Sequence, residues 1–143
     1  MKNIIMLLAL IFTTNSFADG FANWYANCGQ RPNSFCNVLV KRVYDGDTFY
    51  VNVYRVHSLF GDDLGVRVKG VDTPELKGGT PETKAEGIKA RDFTIAFLNK
   101  TKKVDLRNCI KGQFFRIICD VYSHNKSLGD ALTKAGLAKV YAK

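Results

Sequence analysis

The sequence predicts a β-rich α+β domain, built as a five-stranded barrel with one helix between strands three and four and a second helix after strand five. Two observations lead to this fold class. Five short segments alternate apolar and polar residues, which is typical of strands with one buried face. Two other segments carry apolar residues at helical spacing behind capping patterns. The chain has 143 residues without repeats or linkers, so one domain with a modest core accounts for it.

The first three strands are predicted at residues 38–44, 49–56 and 66–71, and hairpin connections would make them a meander. The turn residues Asp45, Gly46 and Asp47 separate the first two strands. Residues 57–65 are polar and flanked by glycine, so we expect a long hairpin loop there. Pro74 lacks an N–H group and cannot extend a central strand, so the segment after the third strand ends at this residue.

A helix follows these strands, and a capping box of Thr83 and Glu86 predicts its start. The cations at 100–103 suit its C-terminal end, because the helix dipole is negative there. Its apolar residues recur at helical spacing; they are Ala90, Phe93 and Phe97, with Ala96 beside them. Strands four and five are then predicted at 104–109 and 116–122.

The second helix opens with the capping pattern of Ser127 and Asp130, and Gly136 is a natural residue for its C′ position. Its predicted buried face comprises Ala131, Leu132 and Ala135. The complete order is β-β-β-α-β-β-α. A partly open five-stranded barrel with a helix between strands three and four is the OB-fold arrangement.

Residues 1–18 are predicted to be a secretory signal peptide. Lys2 forms the positive region, residues 4–12 the apolar region, and Ser16 to Ala18 the cleavage site. A membrane anchor is the alternative, but this apolar run is much shorter than the roughly 20 residues of a spanning helix. We therefore expect an exported protein, periplasmic or secreted, without membrane insertion after cleavage.

The chain is basic, with a net charge of +8 that falls to +7 when the signal peptide and its Lys2 are removed. An exported protein of this charge is expected to attract polyanions, either nucleic acid or an anionic membrane surface. Basicity that serves only solubility is the alternative. Charge concerns association and not fold, so it does not choose between these interpretations.

The four cysteines of an exported chain imply two disulfides, with three possible pairings. We favour the local pairing Cys28–Cys36 and Cys109–Cys119. The first bridge would staple an irregular N-terminal arm at 19–37 ahead of a domain at 38–143. A zinc site is the rival, but the sequence lacks a CxxC pair and has only two histidines, His57 and His124.

One short segment carries the residues of a metal-assisted phosphoryl-transfer site. Arg67 suits a phosphate, because its guanidinium donates two parallel hydrogen bonds. Asp72 and Glu75 suit a hard divalent cation or proton transfer. In a meander the turn that holds Asp47 can meet this segment, so that Asp47 and Asp72 could bind one cation. Calcium tolerates irregular oxygen sites better than magnesium. An exposed strand end with solvated charges is the alternative.

These motifs resemble the staphylococcal nuclease, or thermonuclease, family of calcium-dependent secreted nucleases. The resemblance runs from about residue 40 to 140, with motifs in the order and spacing of the family. The matching motifs are DGDT at 45–48, Arg67, VDTPE at 71–75, ARDF at 90–93 with FL at 97–98, Arg116, SL at 127–128, AL at 131–132 and GLA at 136–138.

The resemblance implies an OB-fold enzyme that cleaves DNA and RNA endonucleolytically and leaves 3′-phosphates. It implies calcium bound by the carboxylates of Asp47 and Asp72 and the backbone carbonyl of Thr73. It assigns Glu75 as general base, and Arg67 and Arg116 as the arginines that bind the scissile phosphate.

The sequence departs from the family before Arg116, where the usual Gly is Phe115. A phenylalanine does not readily adopt a positive φ angle, so we expect this loop to be built differently. Phe114 either replaces a substrate-contacting tyrosine or packs against the barrel. Lys69 and Tyr141 are the other predicted substrate-binding residues.

The sequence thus favours a monomeric calcium-dependent nuclease with little sequence preference, acting on DNA and RNA. A catalytically inactive OB-fold module that binds nucleic acid is the alternative, and a structural module of the cell envelope is a third. The complete set of Arg67, Glu75, Arg116, Asp47 and Asp72 favours the enzyme, because a binding module does not need all five.

Overall fold

The structure is a computed structural model that describes residues 32–54 and 56–141. The predicted signal peptide, Cys28 and most of the N-terminal arm lie outside the described residues, so those predictions stay predictions. Within the described ranges, no helix is both long and apolar enough to span a membrane.

The described chain forms eight strands and three helices. In chain order these are β1 (Phe35–Val43), β2 (Thr48–Asn52), α1 (Ser58–Gly61), β3 (Leu64–Val68), β4 (Val71–Asp72), α2 (Pro81–Asn99), β5 (Lys103–Lys111), β6 (Arg116–Ser123), β7 (Lys126–Ser127), α3 (Leu128–Lys134) and β8 (Lys139–Val140).

Five of these strands close into a barrel. The antiparallel pairs are β1–β2, β2–β3, β1–β5 and β5–β6. The parallel pairing of β3 with β6 completes the ring, with Gly65 opposite Arg116 and Arg67 opposite Ile118. With α2 between β3 and β5 in the chain and α3 after β6, the barrel has the OB-fold arrangement, and the predicted fold class is confirmed. Closure through β3 and β6 leaves neither strand with an exposed hydrogen-bonding edge.

The core lies inside the barrel and under its two longer helices. Alternate residues of the strands point inward, and Phe49, Val66 and Leu106 are fully buried. From the helices, Leu98 of α2 and Leu132 of α3 complete the cluster. The period-two patterns therefore predicted the buried faces of the strands.

The first long helix begins earlier than predicted. Thr80 is the N-cap and its hydroxyl accepts a hydrogen bond from the backbone N–H of Thr83, while Pro81 occupies the first turn. The predicted capping box of Thr83 and Glu86 is therefore wrong. Proline suits this position, because its fixed φ angle is helical and its missing N–H would have no partner there. Ala96, which was predicted to lie beside the apolar residues of this helix, is exposed.

The last helix starts as predicted, with the Ser127 hydroxyl accepting from the N–H of Asp130. Its buried residues are Leu128, Gly129 and Leu132, whereas Ala135 is exposed at the C-cap, so that part of the predicted face is wrong. Gly136 has a φ angle of +70°, which fits the predicted C′ position.

Three other boundaries differ from the prediction. The long loop at 57–65 contains α1, whose N-cap His57 accepts a hydrogen bond from the N–H of Leu59. The predicted strand at 66–71 is two strands, β3 and β4, separated by a turn at Gly70, whose φ angle is +77°. The first strand begins at Phe35, inside the predicted arm.

The predicted disulfide between Cys109 and Cys119 is present and ties β5 to β6. Cys36 is not a free thiol. Its predicted partner, Cys28, lies outside the described residues.

Candidate active site

The guanidinium group of Arg67 joins the two acidic motifs that the sequence separates. Its Nη1 donates to Oδ1 of Asp47 at 3.0 Å, and its Nη2 donates to Oδ1 of Asp72 at 2.6 Å. The Asp47 side chain is only 2% exposed, whereas that of Asp72 is 53% exposed. The cluster is therefore anchored at Asp47 and opens to solvent at Asp72.

Hydrogen bonds hold the buried carboxylate of Asp47 from several sides. Its Oδ1 also accepts from the hydroxyl of Thr48 at 3.0 Å. Its Oδ2 accepts from the backbone N–H of Thr73 at 2.9 Å and from the Thr73 hydroxyl at 3.2 Å. Because Thr48 opens β2 and Thr73 follows β4, these bonds position the two motifs against each other.

Helix α2 packs closely against the turn that contains Asp47. A Cβ atom at Gly46 would lie 2.7 Å from Cβ of Ala90 and 2.8 Å from the Thr73 side chain. The hydroxyl of Thr94 donates to the carbonyl oxygen of Gly46 at 2.6 Å. Gly46 therefore permits a close approach of helix and turn. The sequence pattern indicated only a turn at this glycine.

A second glycine brings α2 against the loop that carries Glu75. A Cβ atom at Gly87 would lie 2.7 Å from the carbonyl oxygen of Pro74 and 3.1 Å from that of Glu75. Gly87 is buried within the helix and was not singled out by its sequence pattern. One helix thus supports both acidic segments.

The pKa values of Asp45 and Arg67 are both shifted at this site. Burial raises the pKa of Asp45 to about 6, and the charges of Asp47 and Glu75 add to this effect. Burial acts to lower the pKa of Arg67, but the charge of Asp47 and the hydrogen bond to Asp72 outweigh it and raise that pKa. Arg67 therefore carries its positive charge among several carboxylates.

Glu75 lies at the wall of an open cleft of about 810 Å³. Asp72 and Thr73 line the same cleft, as does Glu86 on α2. Three basic residues line the cleft as well; they are Lys77, Lys89 and Lys139. A polyanion that enters this cleft would meet both a carboxylate cluster and counter-charges for its backbone.

Arg116 shares the outer face of the barrel with Arg67. Arg116 pairs with Gly65, and Gly65 and Arg67 are alternate residues of β3, so both arginines project from the same side. A Cβ atom at Gly65 would lie 2.7 Å from Cγ of Arg116 and 3.6 Å from the Tyr50 ring. The absence of a side chain at Gly65 lets Arg116 cross β3, a role that the sequence pattern did not reveal.

The turn before Arg116 has a strained backbone. Phe114 and Phe115 have φ angles of +55° and +57°, and the N–H of Arg116 donates to the carbonyl oxygen of Gln113 at 3.1 Å. Positive φ at both central residues defines a type I′ turn. The expectation that Phe115 avoids a positive φ is therefore wrong.

Both phenyl rings of this turn point into solvent. Phe114 is 83% exposed and Phe115 is 90% exposed, so packing of Phe114 against the barrel is excluded. The guanidinium carbon of Arg116 lies 5.9 Å from the centre of the Phe114 ring, within the range of a cation–π contact.

The remaining predicted substrate contacts lie elsewhere. Lys69 is exposed at the turn after β3 and lines a different cleft, together with Asp120 and Lys134. Tyr141 is 58% exposed, and its N–H donates to the carbonyl oxygen of Gly70. The structure does not place either residue among those that line the cleft of Glu75.

The acidic cluster supplies the hard oxygen donors that calcium prefers. Candidate donors are the carboxylates of Asp47 and Asp72 and the carbonyl oxygen of Thr73. In the described part of the chain, no group of three or more acidic, histidine or cysteine side chains is arranged to hold a metal ion. Arg67 instead forms an ion pair with one oxygen of each carboxylate, Oδ1 of Asp47 and Oδ1 of Asp72, so a bound cation would share these two groups with the guanidinium.

Comparison with known proteins identifies the family of the chain. The sequence profile of the family described as "Staphylococcal nuclease homologue" matches residues 65–143, more than half of the chain. The chain belongs to this family. A thermonuclease from Staphylococcus intermedius is 35% identical over 103 residues, which are 71% of this chain and 57% of that relative. The chain thus spans just over half the length of that thermonuclease.

Proposed function

We propose that this member of the staphylococcal nuclease family is an exported, calcium-dependent nuclease that hydrolyses the phosphodiester bonds of DNA and RNA with little sequence preference. The observation that carries the proposal is the placement of Arg67, between the carboxylates of Asp47 and Asp72 and on the same barrel face as Arg116. Glu75 lines the adjoining cleft.

The two arginines bind the scissile phosphate. Phosphodiester hydrolysis builds negative charge on the phosphoryl oxygens, and groups already held in place stabilise that charge most effectively. Arg67 is oriented by two carboxylates, and Arg116 by its passage across Gly65. Each guanidinium can donate two hydrogen bonds to a phosphate.

Calcium is the proposed cofactor, held by the carboxylates of Asp47 and Asp72 and the backbone carbonyl of Thr73. When bound, it supplies further positive charge beside the phosphate. Glu75 positions the attacking water and accepts its proton. The water oxygen bonds to phosphorus, the bond from phosphorus to the 5′ oxygen breaks, and the 5′ oxygen leaves with a proton from solvent, so the product is a 3′-phosphate.

Little sequence preference follows from the residues around the cleft. The lysines at its margin are charges suited to phosphates, and contacts to phosphate and sugar carry no sequence information directly. Arg67 and Arg116 are likewise phosphate ligands in this proposal. The same groups serve DNA and RNA, because both present the same backbone anion.

A substitution at Glu75 tests the proposal against a catalytically inactive binding module. Glu75→Gln keeps the shape of the side chain and removes its proton acceptor, so we expect cleavage of plasmid and single-stranded DNA to fall about 10²- to 10⁴-fold. Glu86→Gln is the matched control, because Glu86 lines the same cleft on α2. It should lower activity far less than Glu75→Gln does, because the reaction needs no proton acceptor at Glu86.

Metal dependence is tested by titrating calcium into chelator-treated protein and measuring both cleavage and the heat of calcium binding. We expect cleavage only with calcium, and calcium binding that survives in Glu75→Gln. Wild-type protein that binds DNA but does not cleave it with calcium would support the inactive module. Full activity in Glu75→Gln would remove Glu75 from the reaction.

A further inference from the structure

The lining of an apolar groove includes Arg116, one of the two arginines proposed to bind phosphate. The groove has a volume of about 460 Å³. Phe60 of α1 and Phe115 of the β5–β6 turn are its aromatic residues exposed to solvent, at 57% and 90%. Val56, Leu64 and Ile117 are among its aliphatic residues, and Arg116 lines it as well.

One of the two exposed aromatic residues of this groove, Phe115, is held out of the core at a cost. Phe115 adopts a left-handed φ angle of +57° in a turn type that favours Asn and Gly. Its ring gains little burial in return. Strained residues persist where the surrounding structure enforces them, and they cluster at ligand sites. This combination points to a binding role for the ring, since packing does not explain it.

Arg116 links the groove to the proposed phosphate site, because it lines the groove while its side chain lies on the opposite face of the sheet from Leu64 and Ile117. Its aliphatic stem crosses Gly65, with Cγ at 2.7 Å from the position of a Cβ there. Lys111 supplies a second cation beside the apolar walls. A cationic track next to exposed aromatic rings is the arrangement by which proteins bind single-stranded nucleic acid.

We propose that this groove binds an unstacked base of the substrate strand, next to the nucleotide whose phosphate lies on Arg116. Phe60 and Phe115 provide the apolar and stacking surface, and Lys111 neutralises a neighbouring phosphate. Every base has a π-face, so such a site accepts any sequence. The proposal rests on the proposed function for its phosphate anchor and extends it by a base-binding subsite.

Binding of oligonucleotides tests the subsite without relying on cleavage. Fluorescence anisotropy is measured in chelator with a single-stranded DNA decamer and with an abasic decamer of the same charge. The test variants are Phe60→Ala and Phe115→Gly. Leu59→Ala is the matched control, because Leu59 is 75% exposed beside Phe60 and is not among the residues that line the groove.

We expect each test variant to bind the decamer about 5- to 150-fold more weakly than wild type, the range for loss of one stacked base. Binding of the abasic decamer should change less than about twofold, and Leu59→Ala should match wild type, since stacking needs a base and a lining ring. Unfolding curves of all three variants separate these effects from loss of fold. If wild type fails to cleave but keeps this base-dependent difference, the proposed function fails and the subsite stands.

Three results would overturn the subsite. The first is equal affinity of wild type for the decamer and the abasic decamer. The second is unchanged decamer binding in both test variants. The third concerns an anionic lipid surface, which also attracts exposed rings beside cations. Sedimentation with phosphatidylglycerol vesicles that is lost in the test variants, with decamer affinity unchanged, would assign the groove to lipid.

Discussion

Phe114 and Phe115 occupy the two central positions of the β5–β6 turn, with φ angles of +55° and +57°. Left-handed backbone costs a residue with a side chain about 1–2 kcal/mol, because Cβ approaches the following carbonyl oxygen. Neither ring recovers this cost, since both are more than four-fifths exposed. We therefore predict that Phe114→Asn with Phe115→Gly, the preferred pair for a type I′ turn, stabilises the protein.

The expected gain can be estimated from these terms. Relief of strain at two residues contributes about 2–4 kcal/mol to the free energy of unfolding. This gain is reduced, because Asn keeps part of the cost of the left-handed backbone and Gly loses about 0.5–1 kcal/mol of conformational entropy on folding. A net increase of about 1–2 kcal/mol in the free energy of unfolding should remain. Binding of single-stranded DNA should weaken in the same variant, because its rings are gone. Strain at binding sites commonly opposes stability in this way.

Urea unfolding followed by circular dichroism measures this change. The β6–β7 turn provides a matched control, because His124 and Asn125 have φ angles of +48° and +59° there. Asn125→Gly should alter the free energy of unfolding by only a few tenths of a kcal/mol, since Asn tolerates this conformation. A double variant at the β5–β6 turn that is less stable than wild type would refute the strain argument.

Two further predictions concern the support of the site. Gly46→Ala should lower the free energy of unfolding by about 1–3 kcal/mol and reduce cleavage, because the added methyl group would lie 2.8 Å from Thr73. Gly129→Ala should not destabilise the protein, because the atom nearest to the added methyl group would be 3.5 Å away. Urea unfolding measures both variants. Equal losses in the free energy of unfolding in the two variants would contradict this reasoning. Replacing Cys109 and Cys119 with Ala should lower the free energy of unfolding by about 3 kcal/mol, which is the chain-entropy value for a short loop. If the denaturant midpoint of this variant matches that of wild type, the bridge does not stabilise the protein.

Local patterns predicted the elements of the fold but not all of their ends. The period-two strands and the Ser127 cap depend on residues near in sequence, so the sequence indicated them directly. The start of α2 was misplaced because two threonines, Thr80 and Thr83, compete for the N-cap, and Pro81 favours the earlier one. Ala135 was assigned to a buried face because it is apolar, although the helix ends there.

The sequence by itself determined the fold class, the family motifs and the residue types of the site. It did so because hydrophobic periodicity, turn chemistry and the donor set of Asp47, Asp72 and Glu75 are local properties. The tertiary structure decided how these residues meet. The parallel pairing of β3 with β6 sets Arg116 beside Gly65, and α2 packs on Gly46. Such contacts join residues far apart in the chain, and their energy depends on the space that glycines leave because they lack a side chain. A single sequence does not show which residues will occupy that space.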